Sequence, residues 1–390
     1  VAVGYQALTA ATTGVDNVAV GASAGDALTT GDANTFVGDN AGGATTTADH
    51  NVAVGGNALL VNSTGASNIA VGYNSLDANT TGSTNVGVGH YALSGNTTAS
   101  HNTAVGNAAL QTNSTGASNT AVGSQALNAN TTASYNTAVG YQAGLALTTG
   151  DRNVFVGNKA GDAATTAQYN IGIGNDALGS LTTANDNVAI GTNVCAAITT
   201  GANNVAIGTN ALDANTTTSN HVAIGYGALS TQTSAGESNT AVGYNALTAN
   251  TSGDNLVAVG NQALDANTTG SGNVAVGRNA LGANDSGSEN VAVGKEALVA
   301  NTTGDYNTAI GGYGCLDANT TADNNTAVGA GVLTVNTTGA NNTSVGAYSL
   351  DANTTGASNV AVGYAALSAN TTADYNVAVG ASALAATTTG

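Results

Sequence analysis

The chain has no proline, no methionine and no tryptophan, and phenylalanine occurs twice in 390 residues. Aromatic residues make up 4% of it, so a core has to be built from Val, Ala, Leu and Ile and is thin but regular. Charge is almost as scarce, at 7%, with four Lys and Arg against 22 Asp and Glu and a formal net charge of −18. A nucleic-acid backbone has to be met by Lys and Arg, so this balance argues against a nucleic-acid partner. It argues equally against an anionic membrane surface. The acidic excess reads instead as a solubility device. No apolar run reaches the roughly 18 residues that a membrane-spanning helix needs, and no membrane insertion is expected of this segment.

What the chain does have is a repeat. One copy reads Asn68-Ile69-Ala70-Val71-Gly72-Tyr73-Asn74-Ser75-Leu76-Asp77-Ala78-Asn79-Thr80-Thr81-Gly82-Ser83-Thr84. The glycine that closes Asn-x-Ala-Val-Gly recurs every 17 residues from Gly4 to Gly225. The steps from Gly225 to Gly243 and from Gly311 to Gly329 are 18, every other step to Gly380 is 17, and the marker glycines number 23. A fixed short period means a solenoid of stacked coils rather than a set of globular domains. The reading is therefore an all-β parallel β-solenoid, a β-roll of 23 coils, forming a single array over residues 1–390. Val1 lies inside a strand, and the array reads as an excerpt of a longer fibre protein.

With the marker glycine as position 0, position −1 is Val or Ile, −3 is Val, Ile or Thr, and −2 is mostly Ala. Branched side chains on a period of two are strand chemistry. The Val face at −3 and −1 is expected to fill the coil. The small, uniform Ala face at −2 then suits close approach by another chain, although Phe36 and Phe155 interrupt it. Positions +3 and +4, usually Ala-Leu, predict a second short strand, and the Thr-Thr-Gly that follows predicts a polar turn. In the coils of Gly21, Gly38, Gly140 and Gly157, position +4 is glycine. In two of these a leucine stands at +7 instead (Leu28, Leu147), so +4 and +7 are both expected to reach the core.

Asparagine fills position −4 in 20 of 22 coils, as in Asn17, Asn34, Asn51, Asn68, Asn85, Asn102, Asn119 and Asn136, with His221 and Leu256 as departures. This pattern predicts a structural ladder of stacked amides. A second set occupies +7: Asn62, Asn79, Asn96, Asn113, Asn130, Asn215, Asn250, Asn267, Asn284, Asn301, Asn319 (displaced by one by the extra residue of its coil), Asn336, Asn353 and Asn370. All 14 stand in Asn-x-Ser/Thr, the N-glycosylation acceptor pattern. They are possible glycan sites, but the hydroxyls are there for the turn in any case, and exchange with Leu28 and Leu147 hints that these side chains point inward. The Thr-Thr pairs lie adjacent in a turn and point different ways, which disfavours a flat ice-binding array.

No chemical site stands out. Asp77, Asp213, Asp265, Asp317 and Asp351 share position +5 without the spacing of a calcium repeat and read as a solvated face. His50, His90, His101 and His221 lie coils apart and form no metal-ligand set. Cys195 and Cys315, both assigned to +4, are seven coils apart, too far for a disulfide. They read as small buried hydrophobes. No nucleophile has a base beside it, paired carboxylates are lacking, and neither an enzyme nor a cofactor is expected. The recurrent Val-Gly-Tyr (Tyr5, Tyr73, Tyr141, Tyr226, Tyr244, Tyr364) reads as cover for the sheet or a chain–chain seam, with an exposed sugar-binding stripe as the other reading.

The string Asn-x-Ala-Val-Gly-x-x-Ala, as in Asn102 to Ala109 and Asn359 to Ala366, resembles the head repeats of trimeric autotransporter adhesins. It is also similar to repeats in phage tail fibres and other long surface proteins. The resemblance covers essentially the whole chain, although the family's head repeat is shorter. It implies a left-handed parallel β-roll, three identical chains side by side, and attachment at a cell or virion surface. The expected function is a structural extracellular fibre that displays and attaches, with self and a surface receptor or glycan as partners. The alternative is a pure filament subunit without a ligand of its own.

Overall fold

A computed structural model of the chain describes residues 1–388 apart from Ser234. It falls into two units, Val1–Asn193 and Val194–Gly390. Within the first unit the described residues form twelve strands, from β1 (Ala2–Val3) to β12 (Val188–Ile190). Within the second they form eleven, from β13 (Val205–Ile207) to β23 (Val377–Val379). Within each unit neighbouring strands pair in parallel, each residue facing its counterpart one repeat on, as Ile69 faces Val86 and Val71 faces Val88. The 17-residue period is therefore the register of the sheet.

The strand buries the opposite face from the one its composition suggests. Ala70 is 0% exposed, whereas Ile69 beside it is 40% exposed. The same pattern, buried at −2 and half-buried at −3 and −1, recurs in both units. Alanine lines the interior because the space behind the strand is already taken by the buried leucine at +4 (Leu59, Leu76, Leu93). A branched residue on both sides would overfill so narrow a coil. The larger valines and isoleucines face outward, where their β-branches still suit the pleat.

Phe36 and Phe155 fit this interior because the coil makes room for them. Both are fully buried. A Cβ on Gly25 would stand 2.7 Å from Phe36 Cδ2, and one on Gly42 would stand 2.6 Å from Phe36 Cδ1. The ring thus occupies the space of two missing leucines. Gly161 stands in the same relation to Phe155.

The segment around +3 and +4 is not a strand. Positions +2 and +4 carry left-handed backbone, with φ of 53° at Asn74 and 52° at Leu76. The chain turns at each of them, and the backbone ladder between coils still continues. The Asn74 N–H donates to the Gly56 carbonyl of the preceding coil at 3.1 Å, and the Leu76 N–H to the Ala92 carbonyl of the following coil at 3.0 Å. These bonds offset the roughly 1–2 kcal/mol that a left-handed L-residue costs. The marker glycine has a separate reason. Gly72 has φ of 130°, and a Cβ there would stand 2.5 Å from the Gly89 carbonyl oxygen. No other residue permits that approach.

Candidate functional site

The asparagine at −4 forms an internal column in each unit. The Asn34 backbone N–H donates to Asn17 Oδ1 at 2.9 Å, and Asn34 Nδ2 donates to the Ala48 carbonyl at 2.9 Å. Both links recur at Asn68, Asn85, Asn102, Asn119 and Asn136, and the backbone link at Asn51. His221 takes one place in this column. Its Nδ1 accepts the Asn239 N–H, and its Nε2 lies 2.9 Å from Thr218 Oγ1. Burial holds its pKa down at about 4, so the ring is neutral near neutral pH, with Nδ1 free to accept.

The +7 asparagines form a second column, and all 14 are fully buried. Asn79 Nδ2 donates to Asn62 Oδ1 and to the Gly82 carbonyl, both at 2.9 Å. That nitrogen is the atom a glycan would occupy. The glycosylation reading of Asn62, Asn79 and their counterparts thus meets an acceptor that is buried and already bonded in the folded coil. Leu28 and Leu147, which replace asparagine at +7, are also fully buried. The Thr80 hydroxyl donates to the Thr97 carbonyl at 2.9 Å, so the first threonine of the pair is spent on stacking while Thr81 is exposed.

Two further expectations need correction. The +5 aspartates are not a fully solvated face: Asp77, Asp213, Asp265, Asp317 and Asp351 are half-buried, and desolvation raises the pKa of each. Cys315 is not in the leucine slot either. The extra residue of its coil lies at 312–314, so Leu316 takes the left-handed position, with φ of 54°, and Cys315 takes the alanine place before it. The Leu298 N–H accordingly donates to the Cys315 carbonyl. Cys195 and Cys315 are both free and buried, and burial pushes each thiol up to about 12, far from a nucleophilic thiolate.

The outer surface offers two features. The first is the apolar face of the sheet, where columns of Val and Ile at −3 and −1 are half-buried to exposed, including Ile69, Ile173, Ile207 and Ile310. The Val-Gly-Tyr tyrosines do not line up as a stripe along it. Tyr226 and Tyr244 stack with centroids 5.5 Å apart, Tyr73 stacks on His90 at 5.6 Å, and Tyr364 meets Tyr348 edge-on at 6.1 Å, but Tyr5 and Tyr141 lack an aromatic counterpart in the adjacent coil.

The second feature is a groove of about 800 Å3 in the second unit. It lies where the extra residue at 312–314 breaks the register. Tyr313, Gly331 and Tyr348 form one wall, and Asp317, Thr334 and Asp351 the other. Lys295 and Glu296 stand at one end, where Glu296 pairs with Arg278 at 2.5 Å and with Lys295 at 3.7 Å. Sequence reasoning passed over this groove, although the out-of-register Gly312-Tyr313-Gly314 was a visible signal for it.

No protein-family model matches the chain, and no curated protein matches it in sequence.

Proposed function

We propose that this chain is a structural element of an extracellular fibre, three copies side by side, that displays and attaches at a cell or virion surface. The observation that carries the proposal is the outer sheet face. It repeats one small apolar patch in every coil, and strands apolar on both faces are usually covered on both. A surface of that kind, recurring along an array, suits lateral association with identical chains better than capture of a single ligand. The resemblance to the head repeats of trimeric autotransporter adhesins supports the number three, the left-handed coil and the surface location. The neutral, buried cysteines and the use of most buried amides in stacking suit a mechanical role rather than an enzymatic one.

Electron cryomicroscopy of the native assembly tests this reading. Three chains per cross-section, with their Val and Ile faces turned inward, would support it. One chain per cross-section, with that face open to solvent, would overturn it.

A further inference from the structure

The geometry points to the groove at the second register break as a binding site for a neutral glycan, of which it holds about a disaccharide. The assignment deepens the attachment half of the proposed function, rests on it for its biological sense, and is independent of lateral association.

The groove opens where the +2 column sets a glycine between two tyrosines. In some other coils the +2 side chains bond to one another, as Asn57 Nδ2 does to Asn74 Oδ1 at 3.1 Å and Gln142 Nε2 to Gln125 Oε1 at 2.9 Å. Here that column reads Tyr313, Gly331, Tyr348. Its backbone ladder is intact, with the Gly331 N–H donating to the Tyr313 carbonyl at 3.0 Å. Gly331 leaves the floor bare, and a Cβ on it would stand 2.9 Å from Tyr348 Cδ1, so the Tyr348 ring lies along the floor. Tyr313 is 81% exposed at the opposite end.

The facing column alternates carboxylate, hydroxyl, carboxylate. Asp317 Oδ2 lies beside Gly314, since a Cβ there would stand 3.3 Å from it. The Thr334 hydroxyl donates to the Gly314 carbonyl at 3.1 Å, which leaves its lone pairs free to accept. Neighbouring coils are roughly 4.8 Å apart, so the two tyrosines are two steps, or roughly 9.6 Å, apart, and so are the two aspartates. A disaccharide matches that length. Its apolar C–H faces would lie on the rings, and its hydroxyls would donate to the carboxylates in charge-assisted bonds.

The charges select among ligands. Asp317 and Asp351 repel phosphate, sulfate and carboxylate groups. The Lys295 ammonium at the mouth, already beside Glu296, can donate to a hydroxyl or ring oxygen. A neutral, hydroxyl-rich ligand avoids that repulsion and uses both the carboxylates and the rings. The volume lies within the range of small-ligand clefts, about 300–1,000 Å3.

The test uses the full chain on a printed panel of neutral and acidic oligosaccharides, with saturation-transfer NMR for any disaccharide retained. The expected result is retention of at least one neutral saccharide. Tyr348→Ala and Asp351→Asn should each weaken it at least tenfold, while Tyr5→Ala in the first unit leaves it unchanged. Asp351→Asn keeps shape and volume, so a loss of binding with an unchanged melting curve cannot be put down to unfolding. Three results would overturn the proposal: no neutral saccharide bound, binding indifferent to both groove variants, or a groove that takes only oligolysine in a salt-sensitive manner. Repeating the measurement on chains diluted until they sediment singly separates a failure of this site from a failure of lateral association.

Discussion

Gly42 and Phe36 share one volume. The glycine stands at +4, where most coils place leucine, and its absent side chain is replaced by the Phe36 ring, whose Cδ1 would be 2.6 Å from a Cβ at Gly42. The backbone is not the obstacle to leucine there, since Gly42 has φ of 63° and leucine adopts 56° at the same place in the next coil, at Leu59. The obstacle is the ring.

Gly42→Leu should therefore destabilise its coil, and Phe36→Ala should do so by about 3–5 kcal/mol through the cavity it leaves. The double variant should regain much of that loss, because the new leucine fills the cavity. Denaturant titrations of the two single variants and the double variant give the coupling energy. A compensating term of at least about 1 kcal/mol is expected, and additive losses would refute the shared volume.

Much of the fold was legible in the residues. The step from Gly55 to Gly72 is the sheet register, and the −4 asparagine pattern marks an internal column. Orientation was not legible in the strand itself, because Val-Ala-Val alternates equally well either way. It is settled elsewhere, by whether Leu76 or Val71 fills the coil. Two signals could have decided it. Phenylalanine at −2 coincides with glycine at +4, which makes sense only if both face inward. Position +4 also takes leucine, glycine or cysteine but not valine or isoleucine, as left-handed backbone demands and a strand would not. The groove depends on a single inserted residue beside Tyr313, and a period read from its regular members hides such a site.

His221 makes one stretch of the second unit acid-sensitive. Its ring is neutral when folded, with a pKa lowered to about 4 from 6.5. A base whose folded pKa is depressed contributes stability that is complete above the unfolded value and is lost as pH falls toward the folded one. The window is thus pH 6.5 down to 4, and the full loss is about 3 kcal/mol, from about 1.4 kcal/mol per unit. The half-buried aspartates, with raised pKa values, act in the opposite sense, so the comparison must be with His221→Asn, which restores the usual column residue. Hydrogen exchange at the Asn239 amide, which donates to His221 Nδ1, reports it directly. After correction for intrinsic rates, its protection should fall about tenfold per pH unit below 6.5 in the parent and stay level in the variant. Equal behaviour of the two would remove the switch.

Asn79 tests the second amide column. Its removal leaves the Asn62 Oδ1 acceptor without its donor, takes one of two donors from the Gly82 carbonyl, which Asn68 Nδ2 still serves, and deprives Asn96 Nδ2 of one of its two acceptors. Asn79→Ala should cost about 3 kcal/mol, since stranded buried groups cost about 1–3 kcal/mol each and some relaxation is expected. For the same reason, folded material secreted from a glycosylating host should carry no N-glycan at Asn79 or Asn267. Peptide mapping that finds glycan mass on either segment of the folded fraction would contradict a column closed to solvent.

The outward face of the strand makes the sharpest distinction between the two sides of the sheet. Val71 and Val88 are paired neighbours on the half-buried side, whereas Ala70, next to Val71 in the strand and on the opposite face, is fully buried. A lysine at Val71 or Val88 can keep its ammonium in water while its stem covers the sheet, so the single chain should tolerate it. Two such charges on each copy, facing their counterparts across a seam, should not be tolerated by an assembly. Val71→Lys with Val88→Lys should therefore leave the β-sheet circular dichroism unchanged and reduce the sedimenting mass to that of one chain. Ala70→Lys places a charge inside the coil and should lose the structure itself, by more than the stability of one repeat. If the double lysine variant still sediments as several chains, the seam lies on another surface. If Ala70→Lys folds normally, the assignment of inside and outside made here for the strand is wrong.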